Sequence, residues 1–247
     1  MKKFWLSMLM ALLLMSGTVL ADDPPKDDRA NIRTQLAAEY YRRGQMSVAI
    51  DEARKAVAIN PKYAPAYSML GVIYMEIRED DKARDNFKRA LELAPADPDI
   101  HHNYGYFLCD RGEHAAGIKE YLTALRDPLY RNQEKTLTDA GSCAEKAGRD
   151  DEAANYYQQA LRYRPNSATA KYLMARMLLK TGKLPEARKY AIELARAPKA
   201  QSEVLWLAVL IERKVGNKEG EAAFSDQLRR LYPDSLETSK LLAKQYE

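Results

Sequence analysis

The side chains best suited to chemistry fall in one stretch of the chain. There are only two cysteines and three histidines. Cys109 lies in "NYGYFLCDRG", just after His101 and His102, and Cys143 lies in "DAGSCAEKAG". Three chemistries compete for these residues. Two cysteines in an exported chain invite a disulfide. They could equally be two buried, unpaired thiols. His102 and Cys109 are two helical turns apart and share a helix face, which raises a metal site. Structural zinc, however, wants four ligands with closely spaced pairs, and such pairs are missing. A Cys–His nucleophile needs an orienting Asn or Asp, and none is recognisable. The sequence holds no phosphate-binding glycine loop, no G-x-S-x-G and no dinucleotide fingerprint. Neither enzymatic activity nor a cofactor is expected, and no metal site is assigned.

The elements that carry these residues follow from a period of about 34 residues. In "AYSMLGVIYMEIREDDKARDNFKRALELAP", Tyr67, Leu70, Gly71 and Tyr74 are followed by Ala83, Phe87, Ala90 and Pro95. This is the tetratricopeptide (TPR) pattern. Small residues stand where two helices of a hairpin cross, and the closing proline cannot donate the next helical hydrogen bond. The predicted fold is all-α: a TPR superhelix of about six helix-turn-helix repeats. Their approximate bounds are 30–63, 64–97, 98–131, 134–167, 168–201 and 202–235, with a capping helix over 236–247. Positions 4, 7, 8, 11, 20, 24 and 27 of each copy are expected in the core, Leu36 among them. Two extra residues separate copies three and four around "DPLYRN". The sixth copy aligns through Trp206, Ala222 and Pro233 only with a one-residue slip. A terminal helix covers the last repeat's apolar face.

In this register both cysteines lie late in the first helices of adjacent repeats. Such helices pack side by side, at a spacing a disulfide can bridge. Positions 2, 5, 9, 12 and 13 of the first helices face a concave groove. The candidate partner-binding residues are Thr34, Tyr41, Arg42, Ser68, Val72, Met75, His102, Tyr106, Tyr172, Arg176 and Trp206, with Leu210 and Arg213 beyond. Apolar and weakly polar, this set suits an extended or helical peptide.

The N-terminus reads separately. Lys2 and Lys3, the run "FWLSMLMALLL" and small residues before Ala21 have the layout of a secretory signal peptide, with cleavage expected after Ala21. Residues 22–29, "DDPPKDDR", read as a flexible leader. The formal net charge of the whole chain is +4, and residues 1–21 hold two of those positive charges. The remainder is nearly balanced, which argues against a nucleic-acid partner. No cysteine follows the expected cut, so a lipid anchor is not expected.

The segment "HHNYGYFLCDRGEHAAGIKEYLTALRDPLYRN" followed by "DAGSCAEKAGRDDEAANYYQQAL" resembles the PilF/PilW (pilotin) type of type IV pilus biogenesis TPR protein, and the resemblance extends over about residues 30–235. It implies a periplasmic, non-enzymatic factor at the inner face of the outer membrane. Such proteins promote secretin localisation and multimerisation, or stabilise pili, and so support twitching motility. The expected partner is the pilus secretin, bound by a monomer that associates with the outer membrane through its partners. The resemblance also implies a Cys109–Cys143 disulfide. Pilotins of this type usually carry a lipidated cysteine after the signal, and here "GTVLADD" stands in that place. The alternative is a general periplasmic TPR adaptor for envelope assembly outside the pilus system.

Overall fold

The computed structural model describes residues 25–246; the expected signal peptide and the first leader residues lie outside them. Six helical hairpins follow one another: α1 (Lys26–Arg42) with α2 (Met46–Ile59), α3 (Ala64–Glu76) with α4 (Asp80–Leu93), α5 (Pro98–Asp110) with α6 (His114–Ala124), α7 (Gln133–Lys146) with α8 (Asp150–Tyr163), α9 (Ala168–Lys180) with α10 (Leu184–Ala195), and α11 (Ser202–Val215) with α12 (Lys218–Leu231). The short α13 (Leu236–Leu242) closes the array against α11 and α12. Among the described residues there is no strand, and no helix is long and apolar enough to cross a membrane.

Each hairpin is held by matched volumes at its crossing. Where position 24 carries a ring, position 8 has no side chain. Phe87 lies on Gly71, Tyr121 on Gly105 and Tyr157 on Gly141. A Cβ at Gly141 would stand 2.4 Å from the Tyr157 ring. Where position 24 is small, as at Ala53 and Ala191, position 8 is Ala37 or Ala175, and all four are buried. A ring at one position is thus met by a glycine at the other, as close packing requires. Position 4 follows a different rule. Arg33, His101 and Lys171 occupy it in repeats one, three and five, each paired with a glutamate of its own second helix: Glu52, Glu120 and Glu193. His101 and Lys171 are buried, which is tolerated because each has a hydrogen-bonding partner; Arg33 is only half-buried.

The structure departs from the expectations in four places. Lys26–Arg29 belong to α1 rather than to a flexible leader. Pro25 precedes the helix, Asp27 and Asp28 favour its positive N-terminal end, and the Asp27 carboxylate accepts from the Asn60 amide. Leu36 is 38% exposed, because among the described residues no helix covers its face of α1. The capping helix stops at Leu242, and Lys244 takes a left-handed φ of 56° that turns the chain back toward α11. The sixth repeat needs no slip. Position 20 is Glu221, Ser225 and Leu228 are buried in step with the other copies, and Ala222 faces solvent.

Successive first helices touch one another along the array, whereas no neighbouring pair of second helices makes comparable contact. The first helices therefore line the inner, concave side. Two apolar cores meet in the third repeat. One ends on Tyr104, Phe107 and Leu108; the other begins with Cys109, Tyr121 and Cys143.

Candidate functional site

The two cysteines are joined to each other across α5 and α7, with their Cα atoms 5.7 Å apart. Among the described residues no thiol remains. The bond removes both sulfurs from any metal site or nucleophilic role. It is almost fully buried, and its outer side borders a small cavity of about 50 Å³ lined by Tyr106, Asp110, Asp139, Ser142 and Lys146. Beneath it, position 20 is Gly117 where four other repeats carry alanine. A Cβ there would stand 2.3 Å from the Cys109 sulfur and 2.8 Å from the Gly105 carbonyl oxygen. The missing methyl makes room for the disulfide.

The two adjacent histidines go to opposite environments. His101 points toward α6. Its Nδ1 lies 2.6 Å from Glu120 Oε2 and its Nε2 lies 3.0 Å from the Pro95 carbonyl oxygen. Two acceptors favour the doubly protonated ring, and the Glu120 hydrogen bond raises its pKa above the usual 6.5. His102 is buried between α5 and α7. Its Nδ1 lies 2.8 Å from Thr136 Oγ1, and its Nε2 accepts from Lys135 Nζ at 3.0 Å. Burial, helped by the Lys135 charge, lowers its pKa to about 4. Both ring nitrogens are engaged by protein groups, which leaves neither for a metal.

The signs of the two linkages are therefore opposite. His102 is depressed below its unfolded value, so the fold loses stability as pH falls from 6.5 toward 4, by on the order of 3 kcal/mol. His101 is raised, so its contribution is complete below 6.5 and is lost as pH rises through its elevated pKa. A side-chain NMR titration is expected to resolve one ring titrating above 6.5 and another near 4. Coincident titration of the two rings near 6.5 would contradict the assignment.

The groove residues divide by depth. Ser68, Met75, His102 and Trp206 are buried. Ser68 accepts from the Asn103 amide of the next first helix at 3.3 Å, and the Met75 carbonyl accepts from Arg111. Ser68, Met75 and His102 hold neighbouring helices together, and Trp206 is covered by Tyr246. Thr34, Tyr41, Val72, Tyr172 and Arg176 are half-buried, and Tyr106 and Arg42 are exposed. The Tyr41 hydroxyl donates to Glu76 at 3.4 Å; burial first, and that carboxylate second, raise its pKa. The Thr34 hydroxyl donates to the Ala30 carbonyl, and Arg42 pairs with Glu39 on its own helix. Tyr172 lines a cavity of about 290 Å³ with Thr169, Gln201 and Val204. Arg176 donates to Glu145 at 2.6 Å, and Glu145 also accepts from the Tyr157 hydroxyl. The Arg176 Nε is buried without a partner.

The fourth repeat contributes more than the sequence reading assigned to it. Lys135, Ser142, Glu145 and Lys146 of α7 stand at groove positions 2, 9, 12 and 13, and counting from Glu134 would have found them. Tyr246 had no such signal, since it lies beyond the last helix and reaches α11 only through the turn at Lys244.

Comparison with known proteins is consistent along the whole array. The tetratricopeptide repeat family matches residues 64–97 and again 138–203. The type IV pilus assembly protein PilF of Pseudomonas aeruginosa is 26% identical over 225 residues, which is 91% of this chain and 89% of that protein. The crystal structure of PilW, a widely conserved type IV pilus biogenesis factor, is 30% identical with a TM-score of 0.77, covering 86% of this chain and 98% of the other. The solved structure of Pseudomonas aeruginosa PilF gives 26% identity and a TM-score of 0.76, covering 89% of this chain and 99% of that one.

Proposed function

Because this chain belongs to the PilF/PilW family of type IV pilus biogenesis TPR proteins, we propose that it is a periplasmic scaffold of the type IV pilus system whose concave face binds a pilus component. The partner we assign is the secretin. The protein promotes secretin arrival at the outer membrane and its multimerisation, or the stability of assembled pili. It acts by binding rather than catalysis, and as a monomer. The reading places it in the periplasm after removal of residues 1–21, held at the inner face of the outer membrane by its partners.

The observation that carries this reading is the match, over nearly the full length of a pilus biogenesis factor, of an array whose first helices line a continuous inner surface. That surface offers half-exposed rings and aliphatic side chains: Tyr41, Val72, Tyr106 and Tyr172. Rings deliver contact area at low entropy cost, and their hydroxyls tolerate a polar neighbour. Such a face suits a peptide whose side chains enter shallow pockets.

Purified protein is expected to retain the secretin in a pull-down. Tyr41→Ala and Arg42→Glu each reduce the retained fraction several-fold at a temperature well below the unfolding transition of each variant, which is measured alongside because Tyr41 packs on the first core and Arg42 pairs with Glu39. Retention unaffected by either substitution would remove the N-terminal repeats from the interface. No retention by the unsubstituted protein would remove the secretin as the direct partner.

A further inference from the structure

The last repeat holds a ring in its groove already. Past α13, Lys244 turns the chain, and Tyr246 lies back on α11. Its ring stacks on Trp206 with centroids 5.8 Å apart and planes 16° apart. The Arg213 guanidinium sits 3.8 Å from the centroid of the same ring. Arg213 is itself held by Glu221 at 2.8 Å, the residue that replaces the usual alanine at position 20 of this repeat. Trp206 and Arg213 are positions 5 and 12 of α11, two of the positions with groove register. Beside the ring a cavity of about 400 Å³ remains, lined by Leu179, Leu210, Arg213 and Lys214.

We propose that the sixth repeat forms an aromatic-accepting subsite of the groove, in which Trp206 and Arg213 clamp a tyrosine or phenylalanine of the bound partner, and that Tyr246 is its resident occupant, displaced when the partner binds. The chemistry is specific to a flat ring. The ring meets both an indole at stacking distance and a cation over its π system. An aliphatic side chain would fill the space without either attraction. The irregular sixth repeat acquires a reason: Glu221 gives up the small position to fix the guanidinium. The subsite deepens the reading that the groove takes a protein partner, and it names the residue class that enters at this end.

The test uses the full chain and its Tyr246→Ala variant, with the acetylated, amidated peptide Ala-Lys-Gln-Tyr as probe. Binding is followed through the indole N–H signal of Trp206. The variant is expected to bind the peptide about ten-fold more tightly than the intact chain, the factor that stacking plus a cation–π contact provides. Replacing the peptide tyrosine with alanine, or adding Arg213→Gln to the variant, is expected to abolish the response. Equal binding to intact chain and variant, or binding indifferent to the peptide's tyrosine, overturns the proposal. The probe carries no pilus sequence, so a failed secretin pull-down would leave a positive result standing.

Discussion

Replacing either Cys109 or Cys143 with serine lowers the unfolding free energy by about 3–4 kcal/mol, the chain-entropy value for closing a loop of this length. The two residues are 34 apart in sequence, and the bond ties the third repeat to the fourth across the junction that carries the "DPLYRN" insertion. Side-chain packing and a few polar contacts, among them His102 with Thr136 and Lys135 and Asn132 with Asp99, also cross that junction. The loss should therefore concentrate there. Urea unfolding of the oxidised protein and of the serine variants measures the difference directly. Hydrogen exchange places it, with α5 to α7 losing protection first and α1 to α4 least affected. Identical midpoints for oxidised and serine forms would show that the bond carries no stability.

Gly117→Ala is expected to cost about 2–3 kcal/mol, the range for forcing a methyl into a filled core. The new Cβ would stand 2.3 Å from the Cys109 sulfur and 2.8 Å from the Gly105 carbonyl oxygen, so the sulfur or the α5–α6 approach has to give. At the equivalent positions of four other repeats alanine is the native residue and is fully buried: Ala49, Ala83, Ala153 and Ala187. At Gly117 the Cys109 sulfur makes the shortest of the contacts a methyl would meet, ahead of the Gly105 carbonyl. A double-mutant cycle separates the causes. In a Cys109→Ala background the sulfur clash is gone, so Gly117→Ala costs less by about 1 kcal/mol or more, and the two changes are not additive. Strict additivity would mean that the helix backbones, not the sulfur, make the conflict.

The parts of the fold legible in the sequence are those set by volume at a fixed interval. Gly71, Ala83, Phe87 and Ala90 mark a hairpin crossing whatever surrounds them, and the six hairpins follow from that period. The disulfide was legible for a related reason: the same register places Cys109 and Cys143 on first helices of adjacent repeats. What escaped the sequence reading depends on neighbours that a period does not describe. Glu221 at a position that wants alanine looks like a slip of register; it is a carboxylate placed to hold Arg213. His102, Ser68 and Met75 have groove register yet are buried, because neighbouring first helices close over them. Leu36 has core register yet is exposed, because among the described residues no helix lies over its face of α1. Lys26–Arg29 look like a solvated leader from composition, and the contact between Asp27 and Asn60 makes them helix.

The concave face as the gripping surface is the claim on which the functional reading turns, and site-specific photo-crosslinking in the living cell tests it most directly. Two exposed tyrosines serve as probes: Tyr106 on a first helix, lining the groove beside the disulfide, and Tyr163 at the end of the second helix α8. With a photoreactive phenylalanine at each position in turn, the account predicts a crosslink to a pilus component from position 106 and none from position 163. A crosslink from 163 with none from 106 would contradict it.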